Sequence, residues 1–235
     1  MHRLVLFFLI PLFAAECYAA QYRLQLGRPG GPVAKISSQV LRRAYDRIGI
    51  AVAFIDLPAE RSLQKSSEGS LDGEVNRIAG IEKEYPNLII VPVPVNTVAH
   101  AAFTKGHHFT VAGWQSLKPY SIAIRIGTKA IEHGTAGMNV TAFPTDEKVF
   151  LLVAQDRYDV CVSAVVNGLY VIKKHHLKEI QLLSPPLERI HLYHYLHTRH
   201  ADLVSGIEAS LEEMRRKGEI ETIRENFVDR LLKSE

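Results

Sequence analysis

"ERSLQKSSEGSLDGEVNR" (residues 60–77) lies between two apolar runs, "IAVAFIDLP" (50–58) and "NLIIVPVPV" (87–95). Its first half reads as a short helix that stops at Gly69. Its second half puts an Asp-Gly turn signal, a carboxylate, an amide and a guanidinium within Asp72–Arg77. Two readings of that polarity stand side by side. It is a solvated loop whose Arg77 pairs with Glu74 or Glu82, or it is one wall of a site.

The same alternation extends in both directions. Upstream, "YRLQLG" (22–27) alternates apolar and polar residues as a strand does. "KISSQVLRRAYDRIG" (35–49) places Ile36, Val40, Leu41, Ala44 and Ile48 on one helical face, with Gly49 as its stop. "IAVAFIDLP" is a strand closed by Pro58, and the prolines of "NLIIVPVPV" mark an edge or a strand end. Downstream, "YSIAIRIG" (120–127), "MNVTAF" (138–143), "YDVCVSA" (158–164), "KEIQLLSPP" (178–186) and "IHLYHYLH" (190–197) read as strands. The helices between them are "TKAIEHG", "TDEKVFLLVAQD" with Thr145 as N-cap, and "VVNGLYVIKKHH" despite Gly168. Two terminal helices follow, over 201–218 and 219–235. Such alternation predicts a parallel sheet with helices on both faces. No internal repeat or low-complexity linker interrupts it, so if there are two lobes they are joined by ordered strands, which suits a hinge better than a tether.

The 235 residues carry 47% hydrophobic and 23% charged side chains and a net charge of +3, an ordinary globular composition. Basic and acidic residues are interleaved, so no nucleic-acid surface is expected. The first twenty residues have a basic start, an apolar core over Leu4–Ala15 and small residues at Ala19 and Ala20. That is the pattern of a cleaved signal peptide, and the apolar run falls short of the ~20 residues a spanning helix needs. Glu16 before Cys17 fits a lipoprotein site poorly. Once Cys17 leaves with the leader, Cys161 has no disulfide partner and sits in an apolar run as a buried thiol.

Residues 60–77, "AAFTKG…GWQSLKPYSIAIRIGT" (101–128), "VAQDRYDVCVSA" (153–164) and "EEMRRKGEIETIRENF" (212–227) stand in an order and spacing that resemble the extracellular solute-binding proteins of family 3. These are the amino-acid-type members of the periplasmic binding protein type II fold. The resemblance covers about residues 21–228. It implies an α/β protein of two lobes, each a mainly parallel sheet flanked by helices, joined by two hinge crossovers. Lobe one would be 21–100 plus 194–235 and lobe two 101–193. A ligand would lie between them, at strand C-termini and helix N-termini.

On that resemblance, Arg28, Glu74 and Arg77 of lobe one and Thr128, Lys129 and Ser163 of lobe two are the candidate ligand contacts, with Arg77 gripping a carboxylate through a forked pair. The chain also departs from the family pattern. "GRPGGPVA" (27–34) lacks the aromatic residue that packs on a ligand. Ser163 and Ala164 stand where a lobe-two carboxylate is expected, and Lys129 replaces a small hydroxyl residue. An added cation and a missing anion point to a ligand more acidic than a plain amino acid.

Four histidines, His191, His194, His197 and His200, recur at steps of three in "HLYHYLHTRH". Neither strand nor helix geometry gathers all four, so a hinge strand with partly exposed imidazoles, sensitive near pH 6, is favoured over a metal site. Trp114 is expected to pack on its own lobe. No nucleophile elbow, zinc-protease, phosphate-loop or dinucleotide motif is present. The expected role is therefore a periplasmic, monomeric, cofactor-free protein that captures a small polar ligand for an ABC-type permease. The alternatives are a sensing module for a signalling partner, or a cleft enzyme of the cyclohexadienyl dehydratase type with Glu74 as its acid/base.

Overall fold

The computed structural model describes residues 23–233. The leader and Cys17 lie outside the described residues. The chain begins with β1 (Leu24–Pro29), α1 (Pro32–Arg47), β2 (Val52–Leu57), α2 (Ala59–Ser67) and β3 (Gly73–Arg77). The long β4 (Leu88–Thr104) then crosses to β5 (Ile122–Arg125), α3 (Lys129–Gly134), β6 (Val140–Phe143), α4 (Asp146–Ala154), β7 (Val160–Ala164) and α5 (Val165–Lys174). A two-residue β8 (Gln181–Leu182) precedes β9 (Glu188–His197), which crosses back to α6 (Val204–Arg216) and α7 (Glu219–Lys233).

The strands form one path, β2-β1-β3-β9-β4-β7-β5-β6. β1 runs parallel to β2 and β3, and β5 runs parallel to β6 and β7. β4 and β9 are antiparallel to each other and to their outer neighbours. Each lobe is thus a parallel sheet, and the two crossing strands turn the whole into a mixed one. The prolines of 87–95 lie where β4 pairs with β9 alone, because its pairing with β7 starts only at His100. The ladder shifts register around Pro94, which has no N–H to give. The strand expected over 178–186 shrinks to two residues, pairing with Phe103 and Thr104 before the prolines end it.

Separate apolar clusters hold the two lobes, a large one in the first and two in the second, with a smaller one around Leu63, Ile81, Leu88 and Tyr195. In the first, Val40, Leu41, Ala44 and Tyr45 of α1 pack on Leu24 and Leu26, on Val91, Val93 and Val95, and on Ile207, Leu211 and Met214 of α6. Each such aliphatic side chain contributes roughly 1.5–3 kcal/mol on burial. In the second, Phe103 stacks edge-on against Phe150 and Gly168 leaves room for its ring. A Cβ at Gly168 would lie 2.3 Å from Phe103 Cζ, so α5 can pass close to β4 only with glycine there. Cys161 is fully buried beside this ring pair, and burial pushes its thiol pKa well up, which leaves it unreactive. A smaller apolar cluster, Val33, Val98, Ala164 and Leu192, lies where the lobes meet.

The histidine series disperses, with His191, His194 and His197 on β9 and His200 in the turn beyond it. His191 Nδ1 meets Thr97 Oγ1 at 2.9 Å, and His200 Nε2 meets Asp72 Oδ1 at 2.7 Å. Among the described residues no group of three or more His, Cys, Asp or Glu could hold a metal ion. His191, His197 and His200 keep the expected partial exposure, and His194 alone departs from it. It is fully buried, with Nδ1 at 2.7 Å from the Glu74 carbonyl and Nε2 at 2.8 Å from Tyr45 Oη. A carbonyl only accepts, so Nδ1 carries the proton and Tyr45 donates to Nε2. Burial lowers the His194 pKa from 6.5 to about 4, away from the range near pH 6.

Candidate functional site

The cleft between the lobes narrows to a cavity of about 70 Å³. Lobe one lines it with Gly30, Val33, Ala59, Asn76 and Arg77, the crossing strands with Val98, His100 and Leu192, and lobe two with Arg125, Thr128, Lys129, Asp146, Ser163 and Asn167. Four of the six residues expected from the sequence, Arg77, Thr128, Lys129 and Ser163, therefore reach one cavity. Arg28 and Glu74 do not line it.

The reason lies in how each is paired. Arg28 forks onto Asp56 of β2 at 2.6 and 2.8 Å, because β1 and β2 run in register with those two positions side by side. Glu74 is fully buried behind Arg77 and accepts from Ser62 (2.5 Å), Ser66 (2.8 Å) and Arg77 Nε (2.8 Å). Burial pushes its carboxyl pKa up, while Arg77 and the two serines pull it down. Of the two readings of residues 72–77, the pairing of Arg77 with Glu74 holds, though as a buried ion pair on a strand rather than in a solvated loop. Glu82 takes the Tyr195 hydroxyl instead, at 2.8 Å. Arg77 also donates Nη2 to the Ala59 carbonyl (2.6 Å) and Nη1 to the Gly127 carbonyl (3.2 Å). Its guanidinium braces the wall and reaches across to lobe two.

Lobe two carries a polar network that the sequence reading missed. Arg125 Nη1 meets Asp146 Oδ2 at 2.9 Å and donates to the Gly30 carbonyl of lobe one at 2.8 Å. Asp146 Oδ1 accepts from Ser163 Oγ at 3.0 Å and Oδ2 from Asn167 Nδ2 at 3.3 Å. Asn167 Oδ1 in turn accepts the Val33 N–H of α1 at 3.0 Å. No side chain of its own caps α1, so lobe two satisfies one of its orphan donors in trans. Asp146 sits in the first turn of α4, where the helix dipole favours a carboxylate, and Thr145 caps that helix at 3.1 Å.

Two of the three departures noted in the sequence are thereby answered within the protein. The carboxylate absent after β7 is supplied from α4 by Asp146. The added cation, Lys129, is answered by Glu60 of lobe one at 3.0 Å and by Glu132 at 3.3 Å. The lobes touch tightly at this point. Gly127 has φ +79, and a Cβ there would lie 2.5 Å from the Glu60 backbone nitrogen. The contacts of Arg77, Arg125, Lys129 and Asn167 cross between the lobes, so this is a closed cleft held by the protein's own groups.

Trp114 lies against Gly134 of its own lobe and donates to Glu188 Oε2 at 3.3 Å. Asn76 is the amide of the polar stretch 72–77, whereas His100, Arg125, Asp146 and Asn167 carried little signal in the sequence. Each is a single residue in a separate segment, and the Thr145 cap before Asp146 was the only local cue.

Solved structures with the same architecture decide the fold. A histidine kinase sensor domain with similarity to periplasmic binding proteins superposes with TM-score 0.74 at 18% identity, covering 88% of this chain and 97% of that one. The fold is the two-lobed periplasmic binding protein type II fold. An ancestral arginine-binding protein bound to glutamine shares it at TM-score 0.73 and 16% identity, over 87% of this chain and 97% of that one. So does the GluR0 ligand-binding core in complex with L-glutamate, at TM-score 0.76 and 12% identity, over 88% and 98%. A curated, uncharacterized protein of Shewanella oneidensis is 22% identical over 192 residues, 78% of this chain and 72% of its own length. No protein-family model matches the chain.

Proposed function

We propose that this chain is a periplasmic solute-binding protein that captures a small polar, amino-acid-like ligand between its lobes. Residues 21–100 plus 194–235 form one jaw, 101–193 the other, and residues 1–20 are the removed leader. The observation that carries the reading is the cavity lined from both lobes, with Asn76 and Arg77 on one side and Arg125, Thr128, Asp146, Ser163 and Asn167 on the other. A ligand touching both walls favours the closed form by its differential affinity. Arg77, Arg125 and Lys129 line the cavity with one carboxylate, Asp146, but each cation is already paired with a carboxylate of the protein, which suits a zwitterion better than the acidic ligand expected at first. The cavity of about 70 Å³ is far smaller than ordinary ligand pockets of about 300–1,000 Å³, so entry requires the lobes to open. Binding is favoured over catalysis because Glu74, the acid/base first considered for a cleft enzyme, is sealed behind Arg77, and Asp146, the carboxylate that lines the cavity, is paired with Arg125. The protein works as a monomer that delivers its ligand to an ABC-type permease. A second reading, a sensing module for a signalling partner, is favoured by the likeness to a histidine kinase sensor domain.

Differential scanning fluorimetry against amino acids, dicarboxylates, polyamines and sugars tests the reading. A ligand at 100 times its Kd adds about 2.7 kcal/mol to the folded state. The expected result is a rise in Tm with one class of probe that Arg125→Ala removes. No rise with any probe, or a rise untouched by Arg125→Ala, rejects the cleft as a binding site. For the ligand found, a deletion strain that loses uptake supports delivery. One that keeps uptake and loses a transcriptional response supports sensing.

A further inference from the structure

Two side chains that line the cavity are left over by the closed network. Asn76 is only 8% exposed, and its Oδ1 is buried with no hydrogen-bond partner among the described residues. A buried amide oxygen without a donor carries the full cost of its desolvation, and native structures keep few of them. Asn76 also lies in the stretch where the β3–β9 ladder shifts register, between Glu74 and Arg77. Such irregularities re-aim side chains beside functional sites.

His100, on β4, is 3% exposed and lines the same cavity. Its Nδ1 lies 2.8 Å from Glu188 Oε1, and Trp114 holds the other oxygen of that carboxylate. The carboxylate accepts, so Nδ1 carries a proton, and the tautomer this orientation fixes has Nε2 as an acceptor. Nε2 has no hydrogen bond to any described residue. By contrast, Arg77, Lys129, Arg125, Asp146, Ser163 and Asn167 are each already paired. The apolar cluster of Val33, Val98, Ala164 and Leu192 forms another part of the lining.

We propose that Asn76 and His100 are the specificity-determining pair of this cleft, reading an amine or ammonium N–H on a ligand with a short apolar body. This rests on the small-ligand-binding reading above. Both side chains line the cavity, Asn76 Oδ1 is buried without a donor, and Glu188 and Trp114 hold the imidazole in the tautomer that leaves Nε2 as an acceptor. A ligand lacking N–H leaves both acceptors desolvated and unmatched, which is the strongest form of discrimination a buried polar site offers.

Isothermal titration calorimetry with glycine, L-alanine and L-glutamate against their amine-free counterparts acetate, propionate and glutarate tests the pair. The wild type is expected to bind at least one amine-bearing probe about tenfold or more tighter than its counterpart. In Asn76→Leu and in His100→Leu that preference falls to about threefold or less. The ligand-free Tm of Asn76→Leu holds or rises, because an orphaned oxygen is removed. His100→Leu strands Glu188, so His100→Gln, with an amide near the Nε2 position, is the companion expected to keep part of the preference. Equal binding of both members of every pair, or a preference unchanged in Asn76→Leu and His100→Leu, overturns the proposal and leaves the binding reading intact. A lowered ligand-free Tm in Asn76→Leu with loss of all binding assigns Asn76 a structural role and also overturns it. No binding of any of the six probes counts against the binding reading and this proposal together.

Discussion

The two walls of the cleft use charge in opposite ways. On lobe one, Arg77 and Glu74 are three residues apart on one strand and are buried against each other, with exposures of 6% and 0%. Their pairing is complete before any ligand arrives, and it stiffens the wall. On lobe two, Arg125 and Asp146 come from different elements, and their network faces the cavity and reaches across to Gly30 and, through Asn167, to Val33. The first arrangement is scaffold and the second is latch. A local cluster of charges is as much a sign of an internal pair as of a site, because neighbours in sequence find each other first.

Breaking the scaffold carries the largest expected effect. Glu74→Ala leaves the Arg77 guanidinium buried without its counter-ion, which costs about 3–5 kcal/mol. In a domain of this size that lowers Tm by roughly 6–20 °C, and a thermal melt reads it directly. A loss under 1 kcal/mol would show that the pair is hydrated and the two walls are alike.

The next effect sharpens the scaffold side through pH. His194 is neutral when folded, with its pKa lowered to about 4 from 6.5. The unfolded chain therefore takes up the proton first as pH falls. Stability is fully present above pH 6.5 and is lost progressively down to pH 4, by about 3 kcal/mol in all at 1.36 kcal/mol per unit. Urea unfolding at pH 7 and pH 5 should show a loss of about 2 kcal/mol in the wild type beyond that in His194→Gln. Equal losses in both proteins would place the titration elsewhere.

The smallest effect tests the latch. Asn167→Ala removes the acceptor for the Val33 N–H, at a cost of about 1–3 kcal/mol while the lobes stay closed. Opening exposes that N–H to water and relieves the cost. The expected result is a small change in Tm with a larger radius of gyration in small-angle scattering of the ligand-free protein. A full loss of stability with no expansion would make the latch a second scaffold.

Much of the architecture was legible because it rests on repeating patterns. The α1 face at Ile36, Val40, Leu41 and Ala44, the Thr145 cap and the buried β7 all follow from periodicity and local bonding. The site was legible only in part. Thr128, Lys129, Ser163 and Arg77 stood out through a resemblance, and they do line the cavity. The roles differ, since Arg77 is spent on Glu74 and Lys129 on Glu60 and Glu132. Glu74 and Arg28 came from the same resemblance, and each is claimed by a neighbour, Arg77 on its own strand and Asp56 on the adjacent one.

Local pattern alone was enough for the alternation of elements, the apolar helix faces and the absence of long linkers, because burial periodicity is a property of consecutive residues. The partners of each charge were settled only by tertiary structure. Asp146 answers Arg125 from 21 positions away, and Asn167 caps a helix from 134 positions away. Hydrogen bonds act over about 3 Å, so which groups they join depends on how distant segments are brought together, and no window of sequence contains that distance.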